Sequence, residues 1–190
     1  MQKISKFYIS ADELMRDSWR LAYAIRMSGW KPDVLVALWR GGAPVGLYVH
    51  EFLENSGWKL RHIPLKCSSY TGLGENTPNL SITLEKEVLS LIETGAKILV
   101  VDDVFDTGWT AKAFGEKLAA IGVDSRFACV YWKKSNNRTT LKPDYCVAEK
   151  GSEWLVFPHE IAGLSAAEIS EKSEFLVNLL KDARLTTATN

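Results

Sequence analysis

The sequence predicts an α/β fold, an open and mainly parallel twisted sheet flanked by helices, and two observations indicate it. First, short runs such as "DVLVAL" at 33–38 and "AKILVV" at 96–101 are apolar almost throughout, which is typical of strands buried on both faces. Second, segments with apolar residues at helical spacing separate these runs, and parallel strands need such crossovers. With 190 residues, 46% of them hydrophobic, the chain is long enough for a single domain over residues 1–190.

Each predicted element has its own sequence signal. The first helix opens with a capping box formed by Ser10 and Glu13, and it ends at Gly29. The strands are the apolar runs that lie between such helices. In chain order the expected elements are a helix at 10–29, a strand at 33–38, a helix at 43–57, a strand at 59–67, a helix at 84–95, a strand at 96–101, a helix at 109–122 and a strand at 124–132.

The end of the chain predicts a terminal helix at about 165–183. It begins with a second capping box, Ser165 and Glu168, and its apolar residues share one face. Those residues are Ile169, Leu176, Leu179 and Leu180. This face can pack on the chain's own sheet or on a second subunit, and the pattern favours neither.

Composition and charge argue against several classes of partner. The 23 basic and 23 acidic side chains cancel, and no basic run stands out, so nucleic acid and anionic membranes are poor partners. The start of the chain lacks the apolar core of a signal peptide, and no apolar run approaches the roughly 20 residues that span a bilayer. Cys67, Cys129 and Cys146 are far apart in apolar surroundings, which favours a reduced compartment. We therefore expect a cytoplasmic protein.

The most informative stretch is "ILVVDDVFDTGWT" at 98–110, where a buried strand runs directly into clustered carboxylates. The strand ends at Asp102 and Asp103, and a turn containing Asp106 leads into the helix at 109–122. A helix amino terminus has free N–H donors and a partial positive charge, so it attracts phosphate. Carboxylates instead suit diol hydroxyls, a divalent cation or a positive charge developing on a sugar. The stretch therefore predicts a site for a phosphate joined to a polyhydroxy ring, and the alternative is a solvated acidic turn.

This stretch resembles the phosphoribosyl-pyrophosphate signature of type I phosphoribosyltransferases. Two adjacent acids, two variable positions and then Asp-Thr-Gly-x-Thr follow the aliphatic residues. The resemblance implies that Asp102 and Asp103 bind the ribose hydroxyls, directly or through Mg²⁺. It also implies that the turn and the start of the helix form a cradle for the 5-phosphate, which comprises Asp106, Thr107, Gly108, Trp109 and Thr110.

The segment "WRGGAP" follows the first long predicted strand, where this family has its pyrophosphate loop. Arg40 can bind phosphate oxygens, while Gly41 and Gly42 let the backbone approach closely. The corresponding peptide bond is often cis in the family, and we expect a cis or strained bond between Trp39 and Arg40. Taken alone, the segment could equally be an ordinary strand-to-helix turn.

The polar segment at about 68–83 is unusually long for a compact domain, which predicts a flexible loop that acts as a lid. Its opening residues, Ser68, Ser69 and Tyr70, match the start of the catalytic loop in bacterial xanthine-guanine phosphoribosyltransferases. The alternative is a disordered surface insertion.

The strand that follows the signature helix resembles the 6-oxopurine branch of the family. In that branch the strand ends in a lysine that binds the exocyclic oxygen of the base, and here Lys133 stands at that place. Lys134 is adjacent and could exchange roles with it. The resemblance therefore implies a purine base as the acceptor, covered by a small base-binding hood.

Residues from "EWLVFPHE" would complete the base pocket by the same resemblance. Trp154 stands at the position that stacks on the base, and Leu155 at the position that contacts it through the backbone. Glu160 falls near an acid that helps to hold Mg²⁺, and His159 stands where the bacterial xanthine-guanine enzymes have tryptophan. The alternative for Trp154 is ordinary core packing.

The resemblance implies a homo-oligomeric enzyme of purine salvage, a dimer or tetramer. With Mg²⁺ as cofactor, it would transfer the phosphoribosyl group of phosphoribosyl pyrophosphate to a 6-oxopurine, giving a nucleoside monophosphate and pyrophosphate. Asp106 would handle the proton near N7 of the base. Three alternatives stay open: a phosphoribosyl-pyrophosphate sensor without catalysis, a transferase for a different nucleobase, and a receiver-like module phosphorylated on aspartate.

Overall fold

A computed structural model describes residues 5–70, 79–82 and 95–182. Within these ranges the chain forms eight strands, five α-helices and one short 3-10 helix. In order they are β1 (Lys6–Tyr8), α1 (Ala11–Met27), β2 (Val34–Trp39), α2 (Gly42–Asn55), β3 (Arg61–Tyr70), β4 (Asn79–Ile82), β5 (Lys97–Phe105), α3 (Trp109–Ala120), β6 (Asp124–Trp132), the short 3-10 helix Lys134–Asn136, β7 (Tyr145–Glu149), β8 (Trp154–Val156), α4 (Ala166–Lys172) and α5 (Glu174–Asp182).

The main sheet has six strands in the described ranges, in the order β4-β3-β2-β5-β6-β7. Strands β3, β2, β5, β6 and β7 are parallel to one another. β4 is antiparallel to β3 and lies at the edge of the sheet. The predicted α/β fold with a mainly parallel sheet is confirmed.

Successive residues of the central strands pack on opposite faces of the sheet, which explains why these strands are apolar throughout. In β2, Leu35 and Ala37 belong to a core shared with α1 and α2. Val34 and Val36 belong to a second core, which includes Phe114 of α3. The sheet is therefore covered on both faces, and turns at the carboxyl ends of its strands are where such folds bind ligands.

Strands β1 and β8 form a small second sheet, which we call the hood. They pair in parallel, with Lys6 opposite Trp154 and Tyr8 opposite Val156. The sequence predicts neither β1 nor β7, because β1 has only three residues and four of the five residues of β7 are partly or fully exposed. The segment that contains Trp154 is thus held by the start of the described chain.

The loop predicted at about 68–83 is wrong at both ends. β3 extends to Tyr70, and its last residues pair with β4, Ser68 with Ser81 and Ser69 with Leu80. Backbone hydrogen bonds hold such a pair together and do not require apolar side chains, so polarity alone is a poor guide to a loop. Residues 71–78, which connect these two strands, lie outside the described residues. So does the helix predicted at 84–95, except for Gly95.

The terminal helix predicted at 165–183 consists of two shorter helices. Ser173 separates α4 from α5 with φ −165° and ψ 109°, and its hydroxyl accepts a hydrogen bond from the Leu176 N–H. A serine that caps the next helix competes with continuation of the first, which explains the break. The capping box at Ser165 is present and Ile169 of α4 is buried, whereas Leu179 of α5 is 48% exposed.

No helix in the described ranges is both long and apolar enough to cross a membrane.

Candidate active site

Turns at the carboxyl ends of three neighbouring strands meet beneath the hood. β2 leads into Arg40, β5 into Asp106 and β6 into Lys133. With residues of and after β8 they line a cavity of about 420 Å³. Its lining residues are Arg40, Gly41, Asp103, Val104, Asp106, Lys133, Trp154, Leu155, Phe157, His159 and Glu160. Residues from four separately predicted segments therefore share one cavity.

A larger surface depression, of about 830 Å³, lies at the opposite edge of the sheet, where the parallel strands begin. Asp33 and Lys59 are among its lining residues. The Asp33 carboxylate already accepts a hydrogen bond from the Lys97 N–H at 2.8 Å, a bond that ties two strand starts together. Because α/β sheets bind ligands at the carboxyl ends of their strands, the smaller cavity is the better candidate site.

The signature residues form the strand, turn and helix start that the sequence predicts. Gly108 has φ 82°, a left-handed conformation that glycine adopts at little cost, and α3 begins at the next residue. The Arg138 N–H donates to the Thr107 carbonyl at 2.9 Å and so holds the turn in place. Thr107, Gly108, Trp109 and Thr110 follow Asp106 directly, but they are not part of the cavity lining.

Two glycines after β2 allow the loop to pack directly against β5. A Cβ on Gly41 would lie 2.2 Å from Asp103 Oδ2, and one on Gly42 would lie 2.2 Å from the Val101 carbonyl oxygen. Both distances are far shorter than a van der Waals contact. The peptide bond between Trp39 and Arg40 is cis, as the family resemblance implies.

We expect Gly42→Ala to lower the free energy of unfolding by about 1–3 kcal/mol, because the new methyl group meets backbone of a central strand. Denaturant unfolding monitored by circular dichroism measures this. Gly115→Ala in α3 is the matched control, because its Cβ would meet no atom of the described residues within 4 Å apart from its own helix backbone and chain neighbours, and alanine favours helix. Equal stability of both variants would contradict the close contact at Gly42.

The two adjacent acids of the signature lie in different surroundings. Asp103 is buried and lines the cavity, whereas Asp102 accepts a hydrogen bond from the Asp103 N–H at 3.0 Å and does not line it. Burial, followed by the charge of Asp103, raises the pKa of the Asp102 carboxyl well above its ordinary value. Burial and the charge of Glu160 raise the pKa of Asp103. A bound cation would relieve this repulsion.

The acidic side chains suit a Mg²⁺ ion that binds together with a substrate better than they suit a metal site formed by protein ligands alone. Asp103 and Glu160 both line the cavity, and Glu160 Oε2 also accepts the Phe157 N–H at 3.0 Å. Among the described residues, no group of three or more histidine, cysteine or acidic side chains is arranged to hold a metal. Mg²⁺ commonly takes one or two carboxylates and completes its shell with substrate phosphates and water, and this donor set suits that mode.

The structure distinguishes the two candidate lysines. Lys133 is only 4% exposed, lines the cavity, and has its Nζ 5.8 Å from the centre of the Trp154 ring. Lys134 is exposed and its Nζ lies 3.6 Å from Glu149, away from the cavity. Trp154 is 52% exposed, so it is not a core residue, and its position in the lining suits a stacking surface.

Three residues near the site carry contacts that the sequence did not predict. Asn136 Nδ2 donates to Asp106 Oδ1 at 2.9 Å. Lys172 of α4 donates to the carbonyls of Phe157 and Glu160, and so attaches the terminal helix to the strand end behind the cavity. His159 Nε2 lies 3.7 Å from Asp103 Oδ2, and burial lowers the pKa of this imidazole. The sequence pattern does not indicate these contacts, because each of them joins residues that are distant in sequence.

A parallel α/β sheet with this signature after one strand, and an arginine and two glycines after its neighbour, defines the class of type I phosphoribosyltransferases. Residues 10–162 match the family described as the phosphoribosyl transferase domain. The chain therefore belongs to the phosphoribosyltransferase family, a family of transferases.

Several known proteins are similar to this chain. The hypoxanthine-guanine phosphoribosyltransferase of Lactococcus lactis is 27% identical over 155 residues, which cover 80% of this chain and 81% of that protein. The purine phosphoribosyltransferase of Pyrococcus horikoshii superposes with a TM-score of 0.65 at 25% identity, over 85% of this chain and 98% of the other. A Neisseria gonorrhoeae protein solved with bound ppGpp has a TM-score of 0.74 at 20% identity, over 97% and 99% of the two chains. At that identity the likeness shows the fold alone.

Proposed function

We propose that this protein is a Mg²⁺-dependent purine phosphoribosyltransferase that uses a 6-oxopurine as acceptor. One observation carries the proposal: a buried lysine, Lys133, lies beside Asp106 and beneath the hood tryptophan, in the cavity that Arg40 and Asp103 also line. The names of the Lactococcus lactis and Pyrococcus horikoshii relatives support a purine acceptor.

Each end of the cavity suits one part of the reaction. The Arg40 guanidinium would neutralise charge on the departing pyrophosphate, and the signature turn, which follows the cavity residue Asp106, would hold the 5-phosphate just beyond the cavity. Asp103 and Glu160 would hold Mg²⁺, which supplies further neutralisation of the pyrophosphate when bound. The carboxylate of Asp103 would also face the positive charge that develops on the ribose.

The base end of the cavity suits a flat ring with an exocyclic oxygen. Lys133 has N–H donors and no acceptor, so it would donate to a 6-oxo group. Trp154 would stack on the ring, and Asp106 would accept the proton that the base loses as its nitrogen bonds to the ribose. Because Trp154 and Leu155 line the cavity, they would cover one side of a bound base and help to keep water from it.

A second candidate is binding of a guanosine nucleotide with pyrophosphate groups. The Neisseria gonorrhoeae structure contains ppGpp, and its fold matches nearly the whole of this chain. Such a ligand joins a 6-oxopurine, a ribose and phosphates, which are the parts that the cavity suits. If ppGpp competes with phosphoribosyl pyrophosphate in a catalytically active protein, it acts as an inhibitor; if it binds a protein without transferase activity, the protein is a sensor.

We expect phosphoribosyl pyrophosphate to bind much more weakly after Mg²⁺ is removed with EDTA. In Asp103→Ala, most of the increase in affinity that Mg²⁺ gives should be lost. Isothermal titration with and without Mg²⁺ measures both. Glu116→Gln is the control, because this acid is exposed on α3 and, among the described residues, Lys112 is its ion-pair partner. Affinity that is independent of Mg²⁺ in the wild type would contradict the proposed role of the metal.

A further inference from the structure

The Asp106 carboxylate is held at both of its oxygens by two different kinds of donor. Lys133 Nζ lies 3.2 Å from Oδ2, and Asn136 Nδ2 lies 2.9 Å from Oδ1. Lys133 lines the cavity, whereas Asn136 does not. A base in the cavity therefore competes with Asp106 for the lysine but not for the asparagine.

We propose that Asn136 is a positioning residue for Asp106, which holds Oδ1 in place when Lys133 turns its donors to the base. This inference rests on the proposed function, in which Lys133 recognises the exocyclic oxygen and Asp106 accepts a proton. It assigns distinct roles to the two carboxylate oxygens: Oδ1 is the anchored oxygen, and Oδ2 is the oxygen that becomes available to the base.

The backbone around Asn136 makes this anchor rigid. The Asn136 N–H donates to the Lys133 carbonyl at 3.0 Å, and the Lys133 N–H donates to the Phe105 carbonyl at 2.9 Å. Phe105 directly precedes Asp106 in the chain. Both partners of the side-chain bond therefore start from one hydrogen-bonded backbone unit, so little freedom remains to be lost when the bond forms.

An anchor of this kind is needed because the side chain of Asp106 is 36% exposed. Among the described residues, Lys133 and Asn136 donate side-chain hydrogen bonds to this carboxylate, so loss of either one leaves it freer to turn toward water. Asparagine suits the task because its amide is neutral. It fixes the direction of the carboxylate and leaves the negative charge for a proton, whereas a second lysine would compete for that charge.

The proton and bond changes are balanced in this arrangement. The base nitrogen forms a bond to the anomeric carbon of the ribose as the bond from that carbon to the pyrophosphate oxygen breaks. The pyrophosphate leaves with the electron pair of the broken bond. The base then loses a ring N–H proton to Oδ2 of Asp106, while Asn136 keeps its hydrogen bond to Oδ1.

Asn136→Ala tests the proposal in steady-state kinetics with phosphoribosyl pyrophosphate and the best purine base. We expect kcat to fall about 10- to 10²-fold, with the KM of both substrates within about twofold of wild type, because misplacement of a catalytic group affects the reacting geometry more than binding. Asn136→Asp should lose more, because it removes the donor and puts a like charge beside Asp106. Ser135→Ala, an exposed residue of the same 3-10 helix, should behave as wild type.

A double-mutant cycle separates positioning from general damage to the turn. If Asn136 acts through Asp106, then Asn136→Ala should cost nothing further in an Asp106→Asn background. Unchanged kcat in Asn136→Ala, or additive losses in the double variant, would overturn the proposal. Wild-type protein that forms no nucleotide from any purine would instead overturn the proposed function, and the inference with it.

Discussion

Asp106→Asn lowers kcat by about 10²-fold or more and leaves the affinity for phosphoribosyl pyrophosphate near that of the wild type: this is the expected result for a general base, which contributes mainly in the transition state. The structure gives the change a clear physical meaning. An asparagine side chain has nearly the same shape and can still accept from Asn136, so the turn after β5 should keep its conformation. The change removes the ability to take a proton, and it also removes the charge that pairs with Lys133.

The measurement is a comparison of kcat by nucleotide formation with Kd by titration calorimetry. Asp12→Asn is a matched control, because it makes the same chemical change on the exposed surface of α1, where Arg16 is the ion-pair partner of the carboxylate within the described ranges. A near-normal kcat in Asp106→Asn would remove Asp106 from the proton-transfer role. A parallel loss of affinity and kcat would mean that the residue serves the phosphate cradle instead.

The second large effect concerns the choice of base. A site built around a hydrogen bond to the 6-oxo group should reject adenine by about 10⁴-fold or more, because the amino group would leave donors facing donors in a buried pocket. Lys133→Ala is expected to reduce kcat/KM for 6-oxopurines, and so to lower the ratio of kcat/KM for 6-oxopurines to kcat/KM for adenine. Because Lys133 also pairs with Asp106, the ratio between bases is more informative than the absolute rate.

Two further variants show whether a change in the preference for 6-oxopurines over adenine is specific to Lys133. Lys134→Ala should preserve this preference, since this lysine is exposed and pairs with Glu149. Trp154→Ala should raise KM for all bases by a similar factor, because stacking does not distinguish one purine from another. If the wild type used adenine as readily as guanine, the proposed location of the base pocket would be wrong. The same would follow if Lys134→Ala, and not Lys133→Ala, abolished the discrimination between 6-oxopurines and adenine.

Some of the site could be predicted from sequence because its parts are local. The signature runs along one strand, one turn and one helix start, so Asp103 and Asp106 could be placed without knowledge of the rest of the fold. The sequence could not decide in this way which of the adjacent lysines, Lys133 or Lys134, enters the cavity. Their separation depends on how β6 ends, and only the three-dimensional arrangement shows that Lys133 is buried while Lys134 is exposed.

The parts that sequence did not predict depend on contacts between distant segments. Asn136 meets Asp106 across a gap of 30 residues, and Lys172 reaches the carbonyls of Phe157 and Glu160 from a separate helix. β1 is too short to show a period, and its strand character comes from pairing with β8. Polar residues near Tyr70 pair through their backbones, which a hydrophobic pattern does not report.

The most direct test of 6-oxopurine transferase activity is formation of nucleotide from phosphoribosyl pyrophosphate, Mg²⁺ and each of guanine, hypoxanthine, xanthine and adenine. Chromatographic detection of the nucleoside monophosphate and of released pyrophosphate, in equal amounts, measures the transfer itself. We expect turnover with at least one of the three 6-oxopurines, turnover of adenine slower by about 10⁴-fold or more, and no product after chelation of the metal. Binding of phosphoribosyl pyrophosphate without nucleotide formation from any of the four bases would contradict it.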